Sequence, residues 1–393
     1  MGGGGGGGKQ VVNLLDPKRT SNINIALARF KMPFGAIRDS MLAMDDSVLS
    51  EERLNILKKC APTAEEIELV MSYDGDERDL GATEQFFRAL AKIPRVEKRL
   101  DACLFKFQFG QIIDETEEQV AVYDAASAAL MESKNLKKIL ALILRLGNYL
   151  NAADKSKGGA YGFSLGTLSK LKGTKGGEGK TDLMRFIVET VTTRDAGARQ
   201  FIEEVKDCKP AARIESAFLA GSVSKVEGSI NRIKSELGSF SDADAARDRF
   251  KAVMTPFYNS ASGRFTSVNE RWGRVKDRCS KLITYYGEKG DVKPEELFGT
   301  FATFAETWIK TETEIKQGEE AAVKQAKADQ AKAAMKAAAH KGDEEPTKTR
   351  EARTGTKFQI KQGQGGVVDQ VMGALRPDNA DAIAAAIRAR RAK

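Results

Sequence analysis

The sequence predicts an all-α fold, an elongated multi-helix chain, on three observations. From Asn22 onward apolar residues recur at helical spacing with few strand-like alternations. The nine prolines are thinly scattered over 393 residues, which permits long helices. Helix-start signals stand where apolar runs begin: Thr63 with Glu66 three residues on, after Pro62, has capping-box spacing, and Ser50 can cap a segment opening with Glu51 and Glu52.

The elements follow in order. The run Gly2 to Gly8 cannot form a core and reads, as residues 1–9, as a flexible leader. Breaks are expected at Asp74-Gly75-Asp76, at Pro94, across Asn151 to Gly162 and near Pro210. Val96 to Ser133 reads as one or two long helices. Leu136 to Leu150 is apolar nearly all round and is expected to be central and buried. Between Arg213 and Leu282, long amphipathic stretches carrying Ile230, Ile233, Leu237, Phe250, Val253 and Phe257 suggest a long antiparallel bundle or short coiled coil. These segments make residues 10–310 the core. Residues 311–342, rich in Ala, Lys, Gln and Glu, read as a solvated helical extension, and 343–365 as linker. The tail, 366–393, has an apolar cluster (Val367, Val368, Val371, Met372, Leu375), then Pro377 and a basic end, the composition of a docking peptide.

Apolar residues make up 41% and charged residues 30%, ordinary values for helical proteins with solvated faces. The net charge of +8 and pI near 9.1 favour an acidic partner: nucleic acid, an anionic membrane surface or an acidic protein. Interleaved carboxylates break up any continuous basic groove, and neither zinc-finger spacing nor an aromatic-rich signature appears, so nucleic acid is disfavoured. The four cysteines, Cys60, Cys103, Cys208 and Cys279, lie far apart and read as reduced thiols. No signal-peptide pattern and no apolar run long enough to span a bilayer is present, and a cytoplasmic setting is expected.

Catalytic chemistry finds little support. Thr174 to Thr181 ends in Gly-Lys-Thr and comes within one residue of a phosphate-binding loop, but Thr174 stands where the first Gly belongs. Such a loop also needs a preceding strand, and Leu165 to Lys172 is helical in pattern. A nucleotide hydrolase would use Lys180 and Thr181; the expected reading is a basic loop. The lone histidine, His340, sits in the Ala/Lys extension with no cysteine or carboxylate pattern aimed at it. The chain is therefore read as a binding protein and not an enzyme, with no cofactor and no metal.

Two positions stand out. Ile23, Leu27 and Phe30 fall on one helix face, whereas Ile25 lies about 200° from Ile23 and points away. Either the helix is buried on both sides or Ile25 is a lone surface residue, or Ile25 anchors a protein partner with Arg29 and Lys31 as its basic rim. Gly147, inside an apolar helix, costs about 1 kcal/mol against Ala. Close backbone approach to another group would compensate, and so would a tight helix-helix contact.

Several motifs in one order resemble the formin homology-2 core: Leu15-Asp16-Pro17-Lys18-Arg19, Asn22 to Leu27 with Arg29-Phe30-Lys31, Pro62 to Glu66, Glu84-Gln85-Phe86 and Ile93-Pro94-Arg95. The resemblance continues at Leu146 to Asn151, Gly159 to Phe163, and Leu168 to Leu171 with Thr174-Lys175. It implies a helical fold with knob, post and long helical bundle. It further implies a cytoskeletal protein that binds actin, nucleates filaments and rides barbed ends as a processive cap. The family's actin-contacting isoleucine and lysine fall on Ile25 and Lys175. Its homodimer forms when a tryptophan-bearing lasso encircles a post, and Gly147, Asn148, Tyr149, Asn151 and Gly162 match post positions. The lasso has no match, since the Gly run occupies its place and Trp272 and Trp308 lie far downstream; the family's Pro-rich segment is also missing. The tail resembles a diaphanous-type autoregulatory segment through Val368, Asp369, Met372 and Leu375, followed by Arg388, Arg390 and Arg391. Such a segment takes an inhibitory domain as partner; an amphipathic tail that captures actin monomers is the alternative. The competing function is a helical scaffold or microtubule-binding protein without actin nucleation.

Overall fold

A computed structural model describes residues 11–153, 159–174, 182–240, 247–288 and 290–339, with side chains through 335. The leader, Lys175, Lys180, Thr181, His340, the linker and the tail with Val368, Asp369, Met372, Leu375, Arg388, Arg390 and Arg391 lie outside the described residues. Within them the chain is all-α, with one isolated parallel bridge between Val12 and Leu80.

The helices are α1 Pro17–Leu27, α2 Phe34–Ala43, α3 Glu51–Lys59, α4 Ala64–Met71, α5 Ala82–Ala91, α6 Val96–Glu132 and α7 Lys134–Leu150. They continue with α8 Leu183–Arg194, α9 Phe201–Glu204, α10 Cys208–Ala211, α11 Ser216–Gly238, α12 Phe250–Tyr285 and α13 Pro294–Ala339. The expected starts are present: Thr63 and Glu66 form a reciprocal capping box on α4, and the Ser50 side chain accepts from Arg53 N at the start of α3. The expected breaks at Asp74-Gly75-Asp76 and Pro94 separate α4 from α5 and α5 from α6.

The chain divides into two compact units, Met1–Val120 with Ala217–Trp272, and Ala121–Ser216 with Gly273–Lys393. In the first, α5 is the hub. It packs against α1, α2 and α4 and buries Phe86, Phe87 and Leu90. Where α6 begins, Arg99 is buried between the rings of Phe240 and Phe250 and pairs with Asp248, whose other oxygen accepts from Phe250 N at 3.0 Å and so starts α12. One carboxylate thereby neutralises a buried guanidinium and satisfies a free helix-end N–H.

In the second unit the first half of α13 is the hub, packing against α8, α10 and a 3-10 helix over Leu165–Gly173. It buries Leu297, Phe298, Phe301, Phe304 and Trp308. The Trp308 indole donates to Glu312 at 2.9 Å, and Arg199 closes the same carboxylate with Nε at 2.8 Å and Nη2 at 2.9 Å. Both tryptophans are core residues, Trp272 in the first unit and Trp308 in the second.

One expectation needs correction. The segment Leu136 to Leu150 is not buried all round: Leu136, Ile139, Leu142, Ile143 and Leu146 face the core, while Tyr149 and Leu150 are exposed at the end of α7. Lys137, Lys138, Arg145 and Asn148 interrupt the apolar wheel and define its outer side. In the amphipathic stretches, Ile230, Ile233 and Phe250 are buried, whereas Leu237, Val253 and Phe257 are only half-buried. The 310/311 junction falls inside α13, where Thr311, Glu312 and Ile315 are still buried; residues 316–335 are exposed throughout.

Asp248→Ala should destabilise the chain by about 3–5 kcal/mol in urea unfolding, because it strands a buried Arg99. Arg264→Ala, which removes a pair with Asp114 and Glu117 at the surface, should cost less than about 1 kcal/mol. Equal losses would contradict the role given to burial. Burial also pushes the Cys103, Cys208 and Cys279 thiols up to about 12. At pH 8 roughly one in ten thousand of each is thiolate, against about a quarter for an exposed thiol. Alkylation followed by mass spectrometry should find these three unmodified in the native chain and labelled in concentrated urea.

Candidate partner-binding surfaces

Two surfaces carry the residues singled out by sequence, one in each unit. On the first, helix α1 begins where the Asp16 side chain accepts from Arg19 N at 2.9 Å and Pro17 fills the first turn. The Asp16-Pro17 pair is a start signal in its own right. Ile23, Leu27 and Phe30 are buried, and Ile25 on the opposite side is 63% exposed. A helix buried on both sides is therefore ruled out for α1; Ser21, Asn22 and Asn24 are exposed as well. Ile25 edges a shallow groove of about 620 Å³ shared with Leu15, Pro17, Thr20, Asn24 and Ala28.

What fixes this helix is polar. Arg19 reaches the Glu66 of the capping box on α4, its Nη2 donating to Glu66 Oε2 at 2.9 Å and to the Ala61 carbonyl at 3.0 Å. Glu66 thus caps α4 and holds α1 together. Ahead of the helix, the Leu14 and Leu15 amides donate to buried Glu84 Oε1 at 3.0 and 3.3 Å, and Val12 bridges Leu80. The chain turns sharply after Phe30, with Lys31 at a left-handed φ of 48°. Arg29 and Lys31 are exposed, and neither is held in an ion pair among the described residues.

On the second surface, the end of α7 and the loop after it form one patch. The Asn148 amide donates to the Ala160 carbonyl at 2.8 Å and its oxygen accepts from Ala160 N at 2.7 Å, closing the loop with a two-point clasp. Gly159 precedes it at φ 69°, a conformation suited to glycine. The clasp leaves Tyr149, Leu150 and Tyr161 exposed, at 51%, 58% and 62%. Asn151 is exposed and Gly162 half-buried. A Cβ on Gly147 would meet nothing within 4 Å. A tight helix-helix contact within this chain does not account for that glycine.

The segment before the phosphate-loop-like run is the 3-10 helix, not a strand, and Thr174 accepts from Leu183 N at 2.9 Å across the run to α8. Lys175 itself is not among the described residues. No helix among the described residues is long and apolar enough to cross a membrane.

A family model described as the formin homology 2 domain matches residues 6–309. The chain belongs to the formin homology 2 family. It is 32% identical over 310 residues to "Formin-like protein 20" of Arabidopsis thaliana, covering 78% of this chain and 19% of that protein. Against "Formin-like protein 5" of Oryza sativa subsp. japonica it is 29% identical, covering 86% and 21% of the two chains. Against "Protein diaphanous homolog 3" of Mus musculus the values are 28%, 81% and 27%. The chain thus spans between 19% and 27% of the length of these curated relatives.

Within this formin homology 2 chain, the motifs read from sequence fall on the elements that build the two surfaces: the start and body of α1, the capping box of α4, the first turn of α5, the end of α7 and the 3-10 helix. Sequence reading placed Arg19 and Glu84 in motifs without giving either a positioning role, and it expected Leu150 to be buried. Glu84 carried a signal, since a carboxylate two residues before the buried pair Phe86-Phe87 of a short helix invites a search for its partners. Ile23→Ala should destabilise the chain by about 2–5 kcal/mol, whereas Ile25→Ala should change it by less than about 0.5 kcal/mol. Thermal unfolding of the two variants measures the difference, and comparable losses would deny the inside-outside division of α1.

Proposed function

We propose that this formin homology 2 chain binds actin, nucleates filaments and holds their barbed ends as a processive cap in the cytoplasmic cytoskeleton. The observation that carries the reading is Ile25, an exposed isoleucine on a helix held in place from its opposite side. An exposed aliphatic side chain on a rigid support can enter an apolar cleft with little loss of conformational freedom. Arg29 and Lys31 supply a cationic rim for an acidic protein surface, and Lys175 is proposed as a second, separate actin contact.

The loop closed by Asn148 is proposed as the dimer post. Gly147, Asn148, Tyr149, Asn151 and Gly162 hold or border it, and Tyr149, Leu150 and Tyr161 offer aromatic and aliphatic area to a second copy. Open space at Gly147 supports this reading, because a partner's aromatic ring could approach the backbone there. The tail, through Val368, Asp369, Met372 and Leu375 with Arg388, Arg390 and Arg391, is proposed as a segment that docks on an inhibitory domain or captures actin monomers. Binding and assembly, not bond chemistry, are the proposed activity.

Pyrene-actin assembly tests the proposal. Ile25→Ala should lower the assembly rate about tenfold or more, and Lys175→Asp should lower it and reduce its sensitivity to salt. Undiminished assembly in both variants, with folding intact by circular dichroism, would refute the assignment. Cosedimentation with tubulin in place of actin would favour the scaffold reading.

A further inference from the structure

We propose that Thr83, in the first turn of α5, is a positioning residue for the partner contact at Ile25, holding α1 at one rotation through the side chain of Asn24. The inference rests on the actin reading above and deepens it at the same site. Thr83 is fully buried although its side chain is polar. Its hydroxyl donates to Asn24 Oδ1 at 3.0 Å, and the Thr20 carbonyl lies at 3.4 Å. Valine has nearly the same shape and offers neither contact.

The place where this bond acts is what gives it a role beyond satisfying a buried hydroxyl. Asn24 is exposed and immediately precedes Ile25 in sequence. Thr20, Asn24 and Ile25 line the same groove, so the Thr83 hydroxyl fixes one wall of it from behind. The bond therefore joins the interior of the first unit to the outer side of α1, next to the anchor.

The apolar face of α1 cannot set this rotation alone. Ile23, Leu27 and Phe30 hold the helix by burial, which is non-directional and changes little over a small turn. A hydrogen bond weakens steeply as its angle closes, so it selects one orientation. Side-chain tips stand about 5–6 Å from a helix axis, and a turn of about 10° carries them about 1 Å. A working contact is held to within about 0.5 Å.

The other polar holds act earlier along the chain. Gly81 N donates to the Val12 carbonyl at 2.9 Å, and Glu84 receives the Leu14 and Leu15 amides. Gly81 has no room for a side chain, since a Cβ there would stand 2.5 Å from Glu84 Oε2 and 2.6 Å from Asn13 Oδ1. These contacts fix where the chain enters α1, and Arg19 with Glu66 fixes its first turn. Thr83 alone among them reaches the residue beside Ile25.

The test uses the full chain in pyrene-actin assembly and reads the concentration that gives half-maximal acceleration. Thr83→Val should raise it about fivefold with the plateau unchanged, and Thr83→Ser, which keeps the hydroxyl, should stay within about twofold of the parent. Asn24→Ala removes the same bond from the exposed side, which keeps the test open if the valine variant does not fold. It should give the same rise, and the double variant no further rise. Amide hydrogen exchange of the free chain supplies a reading independent of actin: Thr83→Val should quicken it across α1 and leave α6 unchanged. Parent-like assembly by Thr83→Val and Asn24→Ala, where Ile25→Ala is impaired, would overturn the positioning role and leave the actin reading standing. Loss of function in the serine variant, fully additive losses or unchanged exchange in α1 would also overturn it. Parent-like assembly by Ile25→Ala would remove the actin reading itself, and this proposal with it.

Discussion

The path by which the chain enters the first unit depends on one buried carboxylate. Glu84 is fully buried on α5, and an isolated charge there would be costly by several kcal/mol. It is tolerated because the Leu14 and Leu15 amides turn toward it, each a hydrogen bond to a charged acceptor worth about 1.5–3 kcal/mol. The segment ahead of α1 is thereby committed to one path, and Val12 then reaches Leu80. Once that path is set, Asp16 and Pro17 start the helix at a fixed register, and the register decides that Ile23 points inward and Ile25 outward. The orientation of the candidate anchor is thus a consequence of a polar contact several residues away. Arg19 and Glu66 secure the same helix from its other neighbour, α4.

The second unit solves a related problem with aromatic packing. Trp308 is buried against Phe201 at 5.0 Å between ring centroids, and its one polar atom is met by Glu312. That carboxylate in turn requires Arg199. Helix α7 packs against residues 196–204, and its end keeps Tyr149 and Leu150 in solvent. In both units a firmly held interior accompanies an exposed aliphatic or aromatic side chain that the interior does not need.

Much of this was legible in sequence, and the gaps have physical causes. The face carrying Ile23, Leu27 and Phe30 could be read because a helix has a fixed period, and the same arithmetic turned Ile25 outward. The capping box at Thr63 and Glu66 could be read because capping is local. The spacing of Leu165, Leu168 and Leu171 is three residues each time, which suits the 3-10 helix that forms there better than an α-helix. Long-range pairs were not readable. Arg19 with Glu66, Arg99 with Asp248 and the Asn148 clasp join residues whose proximity depends on the complete fold. The exposed end of α7 was misread because an apolar composition says nothing about which neighbour is present to cover it.

Beyond Ile315, α13 runs on without a core beneath it. Twenty-four residues remain to Ala339, those with described side chains all in solvent, so the helix there rests on the propensity of its alanines, with a Gln325 to Asp329 hydrogen bond one turn apart. As a rod it measures about 36 Å. As a coil it has no fixed end-to-end vector at all. Melting would therefore remove its direction. Whatever the chain carries past Ala339 is aimed while the rod persists and merely tethered once it frays, so temperature could decide between the two without touching either core.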